Sequence, residues 1–148
     1  MNYEHKIKTS KRGTEIFDPI RAKFVILTPE EWVRQNFLRY LIEEKNMPKS
    51  LIRVEMPLTL NGMSKRCDIA VYSSAGKALM AVECKASSIV LTQAVFEQLA
   101  RYNLQLQVPY LAITNGLQHY FCKLAPDKQS YLFQNEIPKY SELISFDG

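Results

Sequence analysis

The segment RCDIAVYSSAGKALMAVECKA, residues 66–86, decides the fold that this sequence predicts. It contains two apolar runs, 66–72 and 78–86, and each is long enough for a β-strand. Residues 74–77, Ser-Ala-Gly-Lys, separate the runs and favour a turn. Two strands joined by so short a linker predict an antiparallel hairpin.

The register of this hairpin brings three charged side chains together. Pairing Ser73 with Ala78 places Asp68 opposite Glu83, and Lys85 shares a strand face with Glu83 because side chains alternate along a strand. Two carboxylates about 4 Å apart repel each other by roughly 4 kcal/mol at an effective dielectric constant near 20. A divalent cation between the carboxylates turns this repulsion into attraction, and carboxylate oxygens are suitable ligands for Mg²⁺ or Mn²⁺. An ammonium beside the ion can orient water or stabilise a phosphate, so the trio predicts metal-assisted hydrolysis of phosphodiester bonds.

A structural alternative exists for the same residues. A Glu–Lys pair on a solvated strand face would explain Glu83 and Lys85 without catalysis, and their spacing from Asp68 occurs by chance in many charged chains. We favour the catalytic interpretation because the charges lie inside otherwise apolar runs. Buried charges need partners or a role.

The segments around the hairpin complete a mixed α/β (α+β) fold. The predicted order is a helix over 28–45, strands over 50–60, 66–72 and 78–86, a helix between Thr92 and Pro109, and strands over 110–114 and 118–124. A strand, a crossover helix and a second strand usually pair in parallel, whereas the first three strands form an antiparallel meander. We therefore expect an αβββαβ core in which helices flank both sides of a mixed central sheet.

Other local patterns extend this core. The second helix is predicted to bury Val95, Leu99, Tyr102 and Leu106 on one face. Asn61-Gly62 marks a turn after the first of the three strands. Short strands are predicted in EIFDPI and FVIL before the first helix, and an extra strand and a short helix follow residue 124.

Length and composition bound the class of protein. The 148 residues suffice for one domain, and 47% apolar residues suffice for its core. Residues 1–14 are polar and basic, so we expect a flexible basic arm before a single domain over 15–148. The net charge of +4 permits contact with nucleic acid but falls short of the composition of a dedicated binder.

Several features favour a reduced, cytoplasmic protein without a membrane partner. No apolar run approaches the roughly 18 residues that span a bilayer, and the N-terminus lacks the apolar stretch of a secretory signal. Three cysteines without a close pair do not form a disulfide framework. His119 and Cys122 are three residues apart and face opposite sides of a strand, so we do not expect a zinc site.

Five segments of the chain together resemble a known family. They are TPEEWVRQNFLRYLIEE (28–44), RCDIAVY (66–72), AVECKAS (81–87), FEQLARYN (96–103) and YLAITNG (110–116). As a set they resemble the N-terminal nuclease domain of type I restriction enzyme R subunits, and more closely the short proteins that consist of little else. The resemblance covers roughly residues 15–125, places the domain over 15–148 in the PD-(D/E)xK nuclease superfamily and implies its restriction-endonuclease-like core.

The resemblance implies roles for particular residues. In that superfamily the aspartate and the glutamate hold the metal and the lysine serves catalysis, which assigns these roles to Asp68, Glu83 and Lys85. A glutamate on the first helix enters the metal site in many relatives, and Glu31 matches it. Glu31 is also the capping-box partner of Thr28, and both interpretations stay open.

A second motif of the family lies on the predicted second helix. Relatives carry Gln-x-x-x-Tyr there, which corresponds to Gln98 and Tyr102. These residues are four apart and share a helix face, so they are expected to hydrogen-bond the substrate phosphate or hold Lys85. The structural alternative is that Tyr102 belongs to the core and Gln98 lies at its margin.

The sequence also departs from the family pattern. Cys67 precedes the aspartate where the superfamily name suggests proline, and no GxxxxGK[ST] motif provides an ATP-driven motor. The resemblance therefore predicts a metal-dependent deoxyribonuclease that uses Mg²⁺ or Mn²⁺, without a role in restriction. A non-catalytic nucleic-acid-binding or scaffolding module with the same fold is the alternative. DNA is the expected partner, RNA and a homodimer stay open, and no restriction or repair subunit is identified.

Overall fold

Two β-sheets and three α-helices make up the described part of the chain, which comprises residues 3–60 and 62–145 of a computed structural model. The backbone alone is described at residues 58–60, 63–65, 102 and 105. The elements are β1 (Ile7–Ser10), β2 (Gly13–Asp18), β3 (Lys23–Ile26), α1 (Pro29–Glu43), β4 (Ile52–Leu60), β5 (Met63–Tyr72), β6 (Ala78–Cys84), α2 (Gln93–Asn103), β7 (Tyr110–Thr114), β8 (His119–Leu124), β9 (Tyr131–Gln134) and α3 (Tyr140–Leu143).

The larger sheet has the mixed topology that the sequence predicts. Its strand order is β4-β5-β6-β7-β8-β9, and only the β6–β7 pair is parallel among the described residues. This parallel pair follows from the crossover through α2, whereas the other neighbours are joined by short connections. The αβββαβ order and the α+β class are therefore confirmed. Asn61, at the predicted turn between β4 and β5, lies outside the described residues.

Away from the turn, the β5–β6 hairpin keeps the predicted register. Ile69 lies opposite Val82 as predicted. Nearer the turn a β-bulge shifts the pairing, so Tyr72 rather than Ser73 lies opposite Ala78. The prediction for Ser73 is wrong because its backbone N–H closes the turn instead of joining the ladder. The paired part of β5 runs from Ile69 to Tyr72, so the predicted pairing of Asp68 with Glu83 is not part of the ladder.

One helix packs on each side of the larger sheet, as predicted. The first apolar cluster contains Phe37, Leu38 and Leu41 of α1, and the second contains Phe96 of α2. Cys67 belongs to the second cluster, although Ile69, Val71 and Cys84 belong to the first. The predicted common face for Cys67, Ile69 and Val71 is therefore wrong, and so is the expected pairing of Cys67 with Cys84. The break in alternation coincides with a local backbone irregularity on β4, where Glu55 lies between the partners of Ile69 and Cys67 and has a positive φ of 54°.

The start of α1 follows the predicted capping pattern. Thr28 is the N-cap, and its hydroxyl oxygen accepts the backbone N–H of Glu31 at 3.0 Å. Pro29 occupies the first helical turn, where its missing N–H costs nothing. Within residues 3–60 and 62–145, no helix combines the length and apolar character needed to cross a membrane.

The buried face of α2 differs from the predicted one at its first residue. Val95 is 45% exposed, whereas Phe96 is 1% exposed and its ring lies 5.7 Å from that of Tyr120 and 5.4 Å from that of Phe133. The prediction is wrong at Val95 because the large aromatic ring of Phe96, rather than the β-branched residue, turns toward the sheet. It is confirmed at Leu106, which is fully buried. Leu99 is half-buried on the same face. The side chain of Tyr102 lies outside the described residues.

The smaller sheet, β1-β2-β3, includes most of the expected N-terminal arm. Residues 7–14 form β1, a tight turn and the start of β2, where a flexible segment was expected. His5 fixes the chain before β1 by a 3.2 Å hydrogen bond to Asn36 and an edge contact with Trp32 of α1. The ammonium groups of Lys6 and Lys8 lie over the rings of Phe17 on β2 and Phe24 on β3.

Candidate active site

Asp68 lies on β5 next to the end of β6. Its Oδ2 atom accepts the backbone N–H of Cys84 at 2.7 Å, which binds the side chain to the neighbouring strand. Burial raises the pKa of Asp68, and the charge of Glu83 adds to that rise. The N–H of Cys84 and the charge of Arg34 act in the opposite direction without cancelling the effect. The Asp68 carboxylate is therefore a negative charge that a further cation would stabilise.

Glu83 and Lys85 lie together at the solvent-facing end of β6. The Lys85 Nζ atom lies 3.7 Å from Oε2 of Glu83, and the two side chains are 40% and 27% exposed. The backbone N–H of Lys85 donates to the carbonyl of Thr114 at 2.8 Å, which fixes the strand end against β7. The ammonium is thus held near a carboxylate and remains accessible to a substrate.

Asp68 and Glu83 line the same narrow cleft between the sheet and α2. Its volume is about 20 Å³, close to the space that one water molecule needs. Arg66, Leu99 and Asn103 also line it. Asn103 is 3% exposed, and its side-chain amide donates to the carbonyl of Leu99 at 2.8 Å. Sequence reasoning missed Asn103, although it lies four residues after Leu99 on the buried helix face.

Glu31 lies in a buried network of ion pairs at the start of α1. Both carboxylate oxygens accept hydrogen bonds of 3.0 Å from Nη2 of Arg21, and Gln35 donates another at 2.9 Å. The Nε atom of Arg21 also donates to Asp18 at 2.5 Å. Asp18 is fully buried and Glu31 is 6% exposed. These contacts give Glu31 a structural role, and its function as a metal ligand stays a prediction.

Arg34 connects this network to the strand carboxylates. It is 5% exposed, its Nη2 atom donates to Glu55 at 3.1 Å, and its Nε atom lies 3.4 Å from Glu31. The charge of Arg34 lowers the pKa of Asp68, which places the guanidinium near that carboxylate. Sequence reasoning missed Arg34. The available signal was its spacing, four residues before the buried Leu38 on one helix face.

The predicted Gln-x-x-x-Tyr pair is only partly described. Gln98 lies on the exposed side of α2. The side chain of Tyr102 lies outside the described residues, so its proximity to Lys85 stays a prediction. Gln98 and Tyr102 are kept as candidates for contacts with substrate.

The turn after β7 holds the loop that follows Lys85. Asn115 is 2% exposed, and its Oδ1 atom accepts the backbone N–H groups of Leu117 and Gln118. Its Nδ2 atom donates to the carbonyl of Ile89 at 2.7 Å. Ser87 donates to the carbonyl of Asn115 at 3.0 Å. These bonds restrict the chain immediately beyond the candidate catalytic lysine.

His119 and Cys122 lie on opposite faces of the sheet, as the sequence predicts. The His119 ring lies 5.9 Å from that of Phe37, and its Nδ1 atom lies 2.7 Å from the Thr114 hydroxyl. Cys122 belongs to the cluster beneath α2. Burial lowers the pKa of His119, which favours a neutral ring. Both residues are therefore explained by packing.

The strand carboxylates fit a magnesium-type cation. Mg²⁺ is commonly held by one or two carboxylates together with water molecules and substrate phosphate oxygens. Asp68 and Glu83 supply two such carboxylates at one cleft. A positive charge beside Asp68 would offset the free-energy cost of burying its ionised form. Across the described ranges, no group of three or more His, Cys, Asp or Glu side chains is arranged to hold a metal. Water and substrate would therefore supply the remaining ligands.

The chain is similar to one protein family and to a solved structure. A search of curated proteins gave no match. Among solved structures, a candidate nuclease belonging to DUF820 from Anabaena variabilis ATCC 29413 is 11% identical, with a TM-score of 0.47 and coverage of 91% of this chain and 87% of that chain. The family model described as type I restriction enzyme R protein N terminus (HSDR_N) matches residues 29–138. Because this match spans most of the chain, the protein belongs to that family, whose members carry a nuclease-like domain.

Proposed function

We propose that this protein is a metal-dependent endonuclease that hydrolyses phosphodiester bonds of DNA. The observation that carries the proposal is the meeting of Asp68 and Glu83 at one cleft, with Lys85 3.7 Å from Glu83. Membership of the type I restriction enzyme R protein N-terminal family supports the same conclusion. The activity, the metal and the DNA substrate are parts of this proposal.

Asp68 and Glu83 would hold Mg²⁺ or Mn²⁺. Such an ion supplies Lewis acidity at a phosphate oxygen and lowers the pKa of water. The protein contributes the position of the two carboxylates. The N–H of Cys84 fixes Asp68, and the strand pairing of β6 with β7 fixes Glu83. This rigidity favours one arrangement of reacting groups.

Lys85 would act on the substrate rather than on the metal. An ammonium group has donors only, so it is no metal ligand, but it can stabilise negative charge on a phosphate oxygen or hold a water molecule. Its 40% exposure leaves the Nζ atom accessible, and Glu83 limits the directions that it explores. Gln98 and Tyr102 are proposed as additional contacts with the phosphate or with Lys85.

A non-catalytic DNA-binding or scaffolding module is the second candidate. The small number of metal ligands favours this module, because the described residues offer two strand carboxylates at the cleft while Glu31 is hydrogen-bonded to Arg21. A cytoplasmic location and a homodimer remain proposals under either candidate. Cleavage separates the two functions.

The test compares Lys85→Ala with wild type on linear, circular, single-stranded and branched DNA in Mg²⁺ or Mn²⁺. We expect turnover to fall about 10²-fold or more, because a charge-stabilising or proton-transferring group is lost. Metal affinity should stay equal or rise. Lys77→Ala is the matched control, since Lys77 is exposed in the turn of the same hairpin. It should cleave like wild type.

Two outcomes would contradict the proposal. If Lys85→Ala cleaves as fast as wild type, Lys85 is not catalytic and the cleavage arises elsewhere. If neither protein cleaves any substrate in either metal but both bind DNA equally, the binding module is the better description. An RNA substrate in the same assay checks the open alternative of ribonuclease activity.

A further inference from the structure

Two lysines and two phenylalanines lie on one face of the smaller sheet. The Lys8 Nζ atom lies 4.3 Å from the ring centroid of Phe24, and the Lys6 Nζ atom lies 5.6 Å from that of Phe17. Phe17 and Phe24 are paired across β2 and β3, and their rings lie 5.3 Å apart at 71°. We call Lys6, Lys8, Phe17 and Phe24 the lysine–phenylalanine face.

This face is directed away from the core. Side chains alternate along β2, and the neighbours of Phe17 in sequence, Ile16 and Asp18, are fully buried. Phe17 and Phe24 are half-buried, with lysine ammonium groups above their rings. The rings therefore present aromatic surface near the solvent, next to positive charge.

Most of the protein's net positive charge lies in this region. Residues 3–26 carry six Lys or Arg and three Asp or Glu, whereas the whole chain has a net charge of +4. The exposed basic residues are Lys6, Lys8, Lys11, Arg12 and Lys23. Of the acidic residues, Asp18 is fully buried and Glu15 is 3% exposed. The net charge of the accessible side chains is therefore more positive than the net charge of the whole region.

Glu15 organises two of these cations. It hydrogen-bonds Arg12, and its Oε2 atom lies 3.9 Å from Nζ of Lys8. The guanidinium of Arg12 lowers the pKa of Glu15, so the carboxylate stays ionised. One carboxylate facing two cations leaves a net positive charge at this place.

We infer that the lysine–phenylalanine face binds single-stranded DNA. Lys6 and Lys8, whose ammonium groups lie over the two rings in the free protein, would move to phosphates, and the Phe17 and Phe24 rings uncovered in this way would stack on unpaired bases. A basic surface interleaved with aromatic rings is the chemistry that recognises a single strand, because every base has a face for stacking. The inference rests on the proposed function, in that DNA is the substrate, and it assigns the smaller sheet to holding the strand.

The test measures binding of the full chain to a fluorescent 20-nucleotide oligothymidine in EDTA, which separates binding from cleavage. We expect Lys6→Ala/Lys8→Ala to weaken binding about 10-fold at low salt and to reduce the slope of log K against log salt by about 1.4, since each phosphate contact contributes about 0.7 for single strands. Lys49→Ala/Lys77→Ala removes two exposed lysines elsewhere and should leave both values unchanged.

A second variant tests the aromatic contribution. Phe24→Leu keeps apolar volume in the sheet and should weaken binding of the single strand about 5-fold or more, with an unchanged salt slope. A duplex of the same length should show no effect of Phe24→Leu, because its base faces are stacked. A melting curve of each variant verifies that the sheet is folded.

The outcomes separate this inference from the proposed function. Wild-type affinity and salt slope in Lys6→Ala/Lys8→Ala would overturn the inference, even if metal-dependent cleavage is intact. An equal effect of Phe24→Leu on duplex and single strand would overturn the stacking role. Loss of cleavage in Lys85→Ala, or its absence in wild type, leaves the binding result unaffected because no divalent metal is present in the binding assay.

Discussion

Glu31 is buried and Asp68 is half-buried, and the sequence predicts both carboxylates for one metal site, but their surroundings differ. Glu31 accepts two hydrogen bonds from Arg21 and one from Gln35. Asp68 accepts a backbone N–H from Cys84, and burial raises its pKa. The guanidinium of Arg21 compensates the charge of Glu31 within the fold. The charge of Asp68 gains less stabilisation from its neighbours than it loses by leaving water. The partner, more than the residue type, separates a structural carboxylate from one suited to an added cation.

The largest effect on stability is expected at Arg21. Arg21→Met removes the cation that pairs with Glu31 and with the fully buried Asp18. Removing one partner of a buried ion pair leaves an uncompensated charge, so we expect the free energy of unfolding to fall by about 3–5 kcal/mol. Urea denaturation of the metal-free protein at pH 7 measures this change.

Arg39→Met provides the matched control for that experiment. Arg39 pairs with Glu43 at 3.0 Å on the exposed side of α1, where the two side chains are 32% and 47% exposed. An exposed pair contributes little, so its loss should change stability by about 1 kcal/mol or less. Similar effects of Arg21→Met and Arg39→Met would refute the proposed importance of the buried network.

Asp68→Asn should have a smaller effect, of opposite sign. The pKa of Asp68 is raised in the folded protein from its usual value of 3.8, so the folded state holds this proton more tightly than the unfolded state does. Stability therefore decreases as pH rises from about 3.8 through the folded pKa. Asparagine removes this charge and can still accept the N–H of Cys84. The metal-free variant should be as stable as wild type or more stable at pH 7.

The pH dependence makes this prediction specific. The stability advantage of Asp68→Asn should disappear below about pH 3.8, where aspartate at residue 68 is protonated in the folded and the unfolded protein and is as neutral as asparagine. Urea denaturation of wild type and variant at pH 7 and pH 3 gives the comparison. Marked destabilisation of the metal-free variant at pH 7 would indicate a structural role for Asp68 and contradict the contrast with Glu31.

The strand carboxylates could be predicted because local rules determine their positions. A short turn, alternating side chains and apolar runs define the hairpin register from Ile69 inward, and the structure agrees there. The rules failed at the turn, where a bulge changed the pairing of Ala78, and at Cys67, which packs in a different apolar cluster from Ile69. Both failures are local irregularities that residue periodicity does not encode.

The arginine network could not be predicted because its members come from distant parts of the chain. Arg21 lies after β2, Arg34 lies on α1 and Glu55 lies on β4. Only tertiary packing brings the two arginines within 3.4 Å of Glu55. The N-terminal residues were expected to be flexible for a similar reason. The sequence predicts a solvated charge at Lys8, but its ammonium lies over the ring of Phe24 once β1 and β3 pair with the two edges of β2.

Metal-dependent thermal stabilisation tests the central claim most directly, that Asp68 and Glu83 bind a divalent cation. With Mn²⁺ at about 100 times its Kd, mass action stabilises the folded state by roughly 2.7 kcal/mol, so we expect the Tm of wild type to rise by roughly 5–10 °C. Lys85→Ala should show the same rise, and Asp68→Asn should show none. No rise for wild type, or an equal rise for Asp68→Asn, would contradict the account.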